Sequence, residues 1–273
     1  MPHSDAQVTT RLPAKFDTSV PHDARVYDYW LGGKDNYPSD RALGDTIATH
    51  VPAIRSMARA NRAFLGRAVR HLVGAEGIDQ FLDIGTGMPS AGNTHEVAQQ
   101  LDPAARVVYV DNDPVVLAHA RALMASTPQG RTAFAHADLH DPHSILDDPA
   151  LSALDLDRPI AIMLVAILMY FRDRDDPHGI IGRLLDAVPS GSYLVITHPT
   201  ADFDERAVAR VASAAEHAGL IFHPRSRVET ESLFTGTEII DPGVVPVAGW
   251  RPDPGVAVDP ESAWYWAGIG RKP

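Results

Sequence analysis

The feature that most constrains this chain is a βαβ pattern running from Gln80 to Asp113. Gln80-Phe-Leu-Asp-Ile is an apolar run that carries an acid, Asp83, and leads into the turn Gly85-Thr86-Gly87. A helix is expected next, near 92–100, and then a second apolar run, Val107 to Val110, that stops on Asp111. Two adjacent parallel strands would then present acids and a glycine turn at their carboxyl ends, where open α/β sheets bind nucleotides. The turn also limits which nucleotide. A pyrophosphate site needs Gly-x-Gly-x-x-Gly so that the anion can rest on a helix N-terminus. Here Ser90 stands at the third glycine position and Gly92 comes too late, while Asp83 puts negative charge where a pyrophosphate would lie.

An NAD-dependent oxidoreductase is therefore the weaker reading. A ligand with ribose hydroxyls, an ammonium and a sulfonium suits the acids, and S-adenosylmethionine carries all three. In this reading the glycines of Gly85-Thr86-Gly87 let the backbone approach the methionine part of the ligand. Asp83 balances the ammonium, Asp111 accepts the ribose hydroxyls, and Asn112 adds a supporting contact. Asp113-Pro114 reads as the cap of the next helix.

Composition narrows the class further. The chain has 273 residues, 45% of them hydrophobic, which is enough for one large domain with a buried core. A net charge of −11 argues against nucleic acid as partner, because such domains carry a basic face. Without cysteine, disulfides, thiolate metal sites and thiol nucleophiles are excluded. Met-Pro-His-Ser-Asp at the start lacks the order of a secretory signal, and the apolar run Ile160–Phe171 is too short for a membrane span. The expectation is a cytoplasmic protein without a membrane partner; homodimer formation is compatible with it.

From Gln80 onward strand and helix patterns alternate. Strands are expected near 80–84, 106–111, 132–137, 159–165 and 192–197, and helices near 92–100, 114–125, 176–187 and 204–218. Continuous apolar interiors such as Ile160-Ala-Ile-Met-Leu-Val suit parallel strands covered on both faces. Ile239-Ile240, Val244–Val247 and Trp264–Ile269 look instead like an antiparallel hairpin that closes the sheet edge. Ahead of the sheet lie a polar tail over about 1–23, an aromatic segment Arg25–Tyr37 with a Gly-Gly break, and helical stretches near 41–50 and 52–73. In the second stretch Ile54, Met57, Leu65, Val69 and Leu72 form the apolar stripe, with Arg55, Arg59, Arg62, Arg67 and Arg70 outside it.

Several stretches go beyond a fold-level match. Ala24-Arg-Val-Tyr-Asp-Tyr-Trp-Leu-Gly-Gly-Lys-Asp-Asn-Tyr, Ala60-Asn-Arg-Ala-Phe-Leu, Gln80-Phe-Leu-Asp-Ile-Gly-Thr-Gly, Asn93-Thr-His-Glu-Val-Ala, Val108-Tyr-Val-Asp-Asn-Asp-Pro and Gly268-Ile-Gly-Arg-Lys-Pro resemble one family of S-adenosylmethionine-dependent methyltransferases common in high-GC bacteria. The resemblance covers nearly all of the chain from about Asp23. It implies an α/β fold of Rossmann-like type, a seven-stranded, mostly parallel sheet ending in an antiparallel hairpin, with an N-terminal helical cap. It implies residues 1–75 as tail and cap or lid and 76–273 as the cofactor-binding core, within one structural domain. S-adenosylmethionine is the implied cofactor and S-adenosylhomocysteine the product. The family's substrates are generally unknown, so the acceptor is expected only to be a small molecule.

By the same resemblance Asp138 accepts the adenine amino group, the Leu139 amide faces the ring, and Val165, followed by Ala166 and Ile167, lies near the transferable methyl. The family often has a Leu-His-His-like stretch after the fourth strand where this chain has Leu168-Met169-Tyr170, so no role for a histidine there carries over. Catalytic residues stay unassigned, with His198 and Tyr170 the best-placed candidates for touching substrate. A cap that closes over the cofactor would use Tyr29, Asn36 and Tyr37, with Gly32-Gly33 as a hinge and aromatic faces toward the sulfonium. Two rivals remain: a non-catalytic sensor that kept the fold, favoured if Met169 and Tyr170 fill the space above Val165, and a metal site at His136, Asp138, His140 and His143, set aside because the segment reads as polar loop.

Overall fold

The computed structural model describes residues 17–257 and 259–273, so most of the tail expected at the N-terminus lies outside the described residues. Three helices come first, α1 (Asp23–Leu31), α2 (Pro38–His50) and α3 (Ile54–Gly74). The alternating part follows as β1 (Gln80–Ile84), α4 (Thr94–Leu101), β2 (Arg106–Asp111), α5 (Pro114–Leu123), β3 (Arg131–His136), α6 (Pro142–Leu146), β4 (Ala161–Val165), α7 (Pro177–Asp186), β5 (Tyr193–Pro199) and α8 (Glu205–His217). The chain finishes with α9 (Arg227–Ser232), β6 (Glu238–Ile239), β7 (Val245–Pro246) and β8 (Tyr265–Arg271).

The strands lie in one sheet in the order β3-β2-β1-β4-β5-β8-β6, and the two-residue β7 also pairs with β8. Pairs among β1 to β5 are parallel, whereas β8 runs antiparallel to β5 and to β6. The mostly parallel sheet with an antiparallel end is thus the expected one, with seven strands on the main path. From β1 the chain builds outward through β2 and β3, then returns to β4 on the other side of β1. The carboxyl ends of β1 and β4 therefore flank a topological switch point, where such sheets leave a crevice.

Strand alternation explains why both faces are covered. Phe81, Val107, Tyr109, Met163 and Val195 pack on one face with Phe64, Ala68, Val69 and Leu72 of α3. Leu82, Val108, Val110, Ile162 and Leu194 pack on the other with Ile180, Ile181, Leu184 and Leu185 of α7. Each fully buried aliphatic or aromatic side chain of this kind contributes about 1.5–3 kcal/mol. Helix α2 starts at Pro38 rather than near Arg41, because proline suits a first turn and the Asp40 carboxylate accepts the Tyr37 backbone N–H at 2.7 Å. Pro52 falls in a turn just before α3. Among the described residues no helix is long and apolar enough to cross a membrane.

Candidate active site

A cleft of about 250 Å³ opens over the carboxyl ends of β1, β2, β3 and β4, faced by α1 and by Asn61, Arg62 and Leu65 of α3. Its floor is the β1 turn. Gly85 and Gly87 both have positive φ, 78° and 66°, and a Cβ on Gly85 would press into the Ile167 side chain, so only glycine lets these two loops meet. Asp83 is buried beneath the turn, where its Oδ2 accepts the Thr94 hydroxyl at 2.6 Å. Burial pushes its carboxyl above the usual range, against the Thr94 bond and the nearby Arg62 charge. Arg62 donates to Asn93 Oδ1 at 2.8 Å, while its buried Nε has no hydrogen-bond partner among the described residues. The buried Oδ1 of Asn61 is likewise unpartnered, although its amide nitrogen donates to the Tyr27 hydroxyl at 3.0 Å.

Asp111 ends β2 with Oδ2 accepting the Gly87 N–H at 3.0 Å and Oδ1 accepting the Asp113 N–H at 2.9 Å. Its carboxyl is raised by burial, opposed by these two backbone bonds. Asp113 caps α5 by accepting from Val115 N at 2.8 Å, as its position before Pro114 predicts, and it also lies 3.4 Å from His22 Nε2. Asn112 donates to Asp138 Oδ2 at 3.2 Å, and the His140 backbone N–H and ring Nδ1 reach Asp138 Oδ1 at 2.9 and 2.8 Å. Burial pushes the Asp138 carboxyl up, but these donors outweigh it and hold the group below its ordinary value. The His140 ring stacks on Phe171 at 4.2 Å, and with Leu139 they line the cleft at its β3 end. Val165, Ala166 and Ile167 line it at β4, where Ala166 holds φ at 56°, a strained conformation of the kind that clusters at functional sites.

The structure thus gathers Asp83, Gly85, Thr86, Gly87, Asp111, Asn112, Asp138, Leu139 and Val165 in one cleft. Tyr29, Asn36 and Tyr37 do not line it, which corrects their expected role. In α1 the residues that line the cleft are Asp23, Ala24, Tyr27, Asp28 and Leu31, of which the last four form one helical stripe, and Tyr29 does not line it. Its hydroxyl donates to Asp45 at 2.8 Å, and its ring lies under the Arg55 guanidinium. Asn36 and the Asp35 backbone donate to Asp28 Oδ2, so these two donors are spent on the chain itself. Tyr37 is the N-cap of α2, with its ring facing the Arg25 guanidinium at 5.4 Å. The Gly-Gly break has local causes: Gly32 ends α1 with φ 87°, and a Cβ on Gly33 would collide with the Asp28 carboxylate.

A second cavity of about 60 Å³ adjoins the cleft, with Asp23, Tyr27 and Tyr170 lining both. Val165 lines the cleft together with Tyr170, and Met169 and Tyr170 are walls of the second cavity. His198 lines neither cavity, which removes it as a substrate-touching candidate. Its ring is fully buried, with Nδ1 2.9 Å from the Pro199 carbonyl and Nε2 3.0 Å from Arg225 Nη1. Burial, with the Arg225 charge, pushes it down to about 3, so it stays neutral and acts as an anchor. Among the described residues no group of three or more His, Asp or Glu is placed to hold a metal ion; His136 Nε2 instead meets the Asn112 carbonyl at 3.0 Å. Tyr27, Asn61, Arg62, His22 and Asp23 are lining residues that sequence reasoning missed. The helical spacing of 24, 27, 28 and 31 could have found Tyr27.

The donor set suits S-adenosylmethionine. Five carboxylates, those of Asp23, Asp28, Asp83, Asp111 and Asp138, line the cleft beside one guanidinium, Arg62. That balance matches a ligand with two cationic centres and one carboxylate, and opposes a pyrophosphate. The sheet order and the cleft over its strand ends define a Rossmann-like methyltransferase fold. The plantazolicin methyltransferase BpumL, solved with S-adenosylhomocysteine, has the same fold at a TM-score of 0.50 and 15% identity, over 92% of this chain and 95% of that one.

Nearer relatives fix the family. A DUF574 family protein from Streptomyces avermitilis is 46% identical, with a TM-score of 0.91 over 94% of this chain and 99% of that one. A protein from Thermobifida fusca with a provisional methyltransferase assignment is 44% identical, with a TM-score of 0.86 over 94% and 96%. None of the curated proteins matches the chain in sequence. The chain belongs to the S-adenosyl methyltransferase family, whose model matches residues 9–273. It is an S-adenosylmethionine-dependent methyltransferase.

Proposed function

We propose that the cleft holds S-adenosylmethionine with its adenine at the β3 end, its ribose on Asp111 and its methionine part along Gly85-Thr86-Gly87, and that the methyl group goes to a small-molecule acceptor. Asp138 takes the adenine amino group and Leu139 and His140 flank the ring. Asp111 keeps free lone pairs on both oxygens after its two backbone bonds, so it can accept ribose hydroxyls, with Asn112 beside it. Arg62 Nε meets the ligand carboxylate, and Asp83 balances the ammonium. The bound cofactor supplies an electrophilic methyl carbon; the chain supplies position and a site poor in water beside Val165 and Ala166. Helices α1 to α3 act as the cap over the core. The observation that carries this reading is the pairing of five carboxylates with one guanidinium that keeps an unpartnered Nε.

The net charge of −11 supports a small acceptor in the cytoplasm rather than nucleic acid, and the open second cavity supports catalysis rather than sensing. Isothermal titration tests the reading. S-adenosylmethionine and S-adenosylhomocysteine bind and NAD does not. Asp111→Ala weakens binding by about 1.5–3 kcal/mol for each charge-assisted hydrogen bond lost. Tight binding of NAD without the other two, or an unchanged affinity in Asp111→Ala, overturns it.

A further inference from the structure

We infer that the second cavity receives the methyl acceptor, that this acceptor couples an uncharged apolar body to an amine or hydroxyl, and that Asp23 takes its proton. The inference rests on the cofactor reading of the cleft. The cavity lies between the cap and α8, with walls of Ile47, Met57 and Val211 and of the rings Trp30, Phe222 and Trp264. Among its lining residues there is no lysine, arginine or histidine, so an acceptor bearing a carboxylate or phosphate would lie there without a counter-charge.

Asp23 stands where the two spaces meet. Its half-buried carboxylate makes no hydrogen bond or ion pair among the described residues, so both oxygens are open to a donor from either space. A protic acceptor would supply the missing donor. Tyr27 on its own helix and Tyr170 after β4 line both spaces with it, Tyr265 on β8 lines the second cavity and the Asp111 carboxylate the cleft, and His22 is adjacent in the chain. Tyr27 is already engaged, donating to the Ala58 carbonyl at 3.1 Å. The Tyr170 and Tyr265 hydroxyls are pushed well above their ordinary value, first by burial, and so stay neutral. That leaves Asp23 as the proton acceptor. Burial raises its carboxyl to about 7, near the value that serves a general base at neutral pH. In the transfer the acceptor's lone pair forms the N–CH3 or O–CH3 bond. The pair of the broken S–C bond stays on sulfur, which becomes a thioether, and the N–H or O–H proton passes to Asp23 and then to water.

The test loads the full chain with S-adenosylhomocysteine and measures binding of benzylamine, 4-methylphenol and benzoate, which share a ring and differ in the attached group. Benzylamine or 4-methylphenol binds and benzoate binds at least about tenfold more weakly, the cost of an uncompensated charge. Leu220→Trp, on the half-buried rim of the cavity, abolishes probe binding and leaves S-adenosylhomocysteine affinity at the parental value. In Asp23→Asn the probe's affinity loses its pH dependence between pH 6 and 8. The inference is overturned if S-adenosylhomocysteine binds but neither probe does, if benzoate binds as well as they do, or if both variants behave as the parent. Failure of S-adenosylhomocysteine itself to bind would instead refute the cofactor reading.

Discussion

Asp23 has a cost that can be read without any ligand. Its folded carboxyl titrates at about 7 against an ordinary value of 3.8, so the folded state holds the proton more tightly than the unfolded chain does. The stability tied to that proton is fully present below pH 4 and is lost as pH rises through 7. Asp23→Asn resembles the neutral form at every pH. Its melting temperature should match the parent near pH 4 and exceed it at pH 8, by a difference on the order of a few kcal/mol in stability. Equal melting curves at pH 8 would show that the carboxylate is well solvated. A destabilising acid at the seam of two cavities fits a role in the reaction.

At the scale of one helix, α1 decides what the cap can do. Its nine residues put Tyr27 and Asp28 on the cleft side and Tyr29 on the side of α2, where a Cβ on Gly44 would meet the Tyr29 ring. Tyr27→Ala should weaken S-adenosylhomocysteine binding, while Tyr29→Ala should lower the ligand-free melting temperature and leave affinity unchanged. If α1 closes on the ligand, proteolysis near Gly32-Gly33-Lys34 slows when S-adenosylhomocysteine is added; equal rates with and without it rule closure out. The same helix shows where sequence reading stops. Strands β1, β2 and β4 were legible because their apolar runs admit one structure, and Asp83 and Asp111 were legible because they stand at or one residue before the ends of such runs. Aromatics in α1 were read as a group, yet a 3.6-residue period sends neighbours to opposite sides. Arg62 was indistinguishable from Arg55, Arg59, Arg67 and Arg70, all outside the apolar stripe of α3; only the approach of α3 to the β1 turn singles it out. His198 misled because a polar residue at a strand end signals a site only when it stays open to a cavity, and Arg225 closes this one in.

Across the whole molecule, strand neighbours are distant in the chain. Phe81 of β1 pairs with Ala161 of β4, eighty residues later, and Thr197 of β5 pairs with Ala267 of β8. The cleft draws on six separated stretches, from His22 just before α1 to Phe171 after β4. No early hairpin or helix pair can assemble it, because loop closure over such spans must come before the walls meet. A ligand of this cleft therefore has nothing to hold until folding is nearly finished. Saturating S-adenosylhomocysteine should slow unfolding and leave the refolding rate in dilute denaturant unchanged, so that its whole effect falls on one arm of the chevron. For this enzyme the cofactor would serve as a latch on the completed molecule and never as a template for making it.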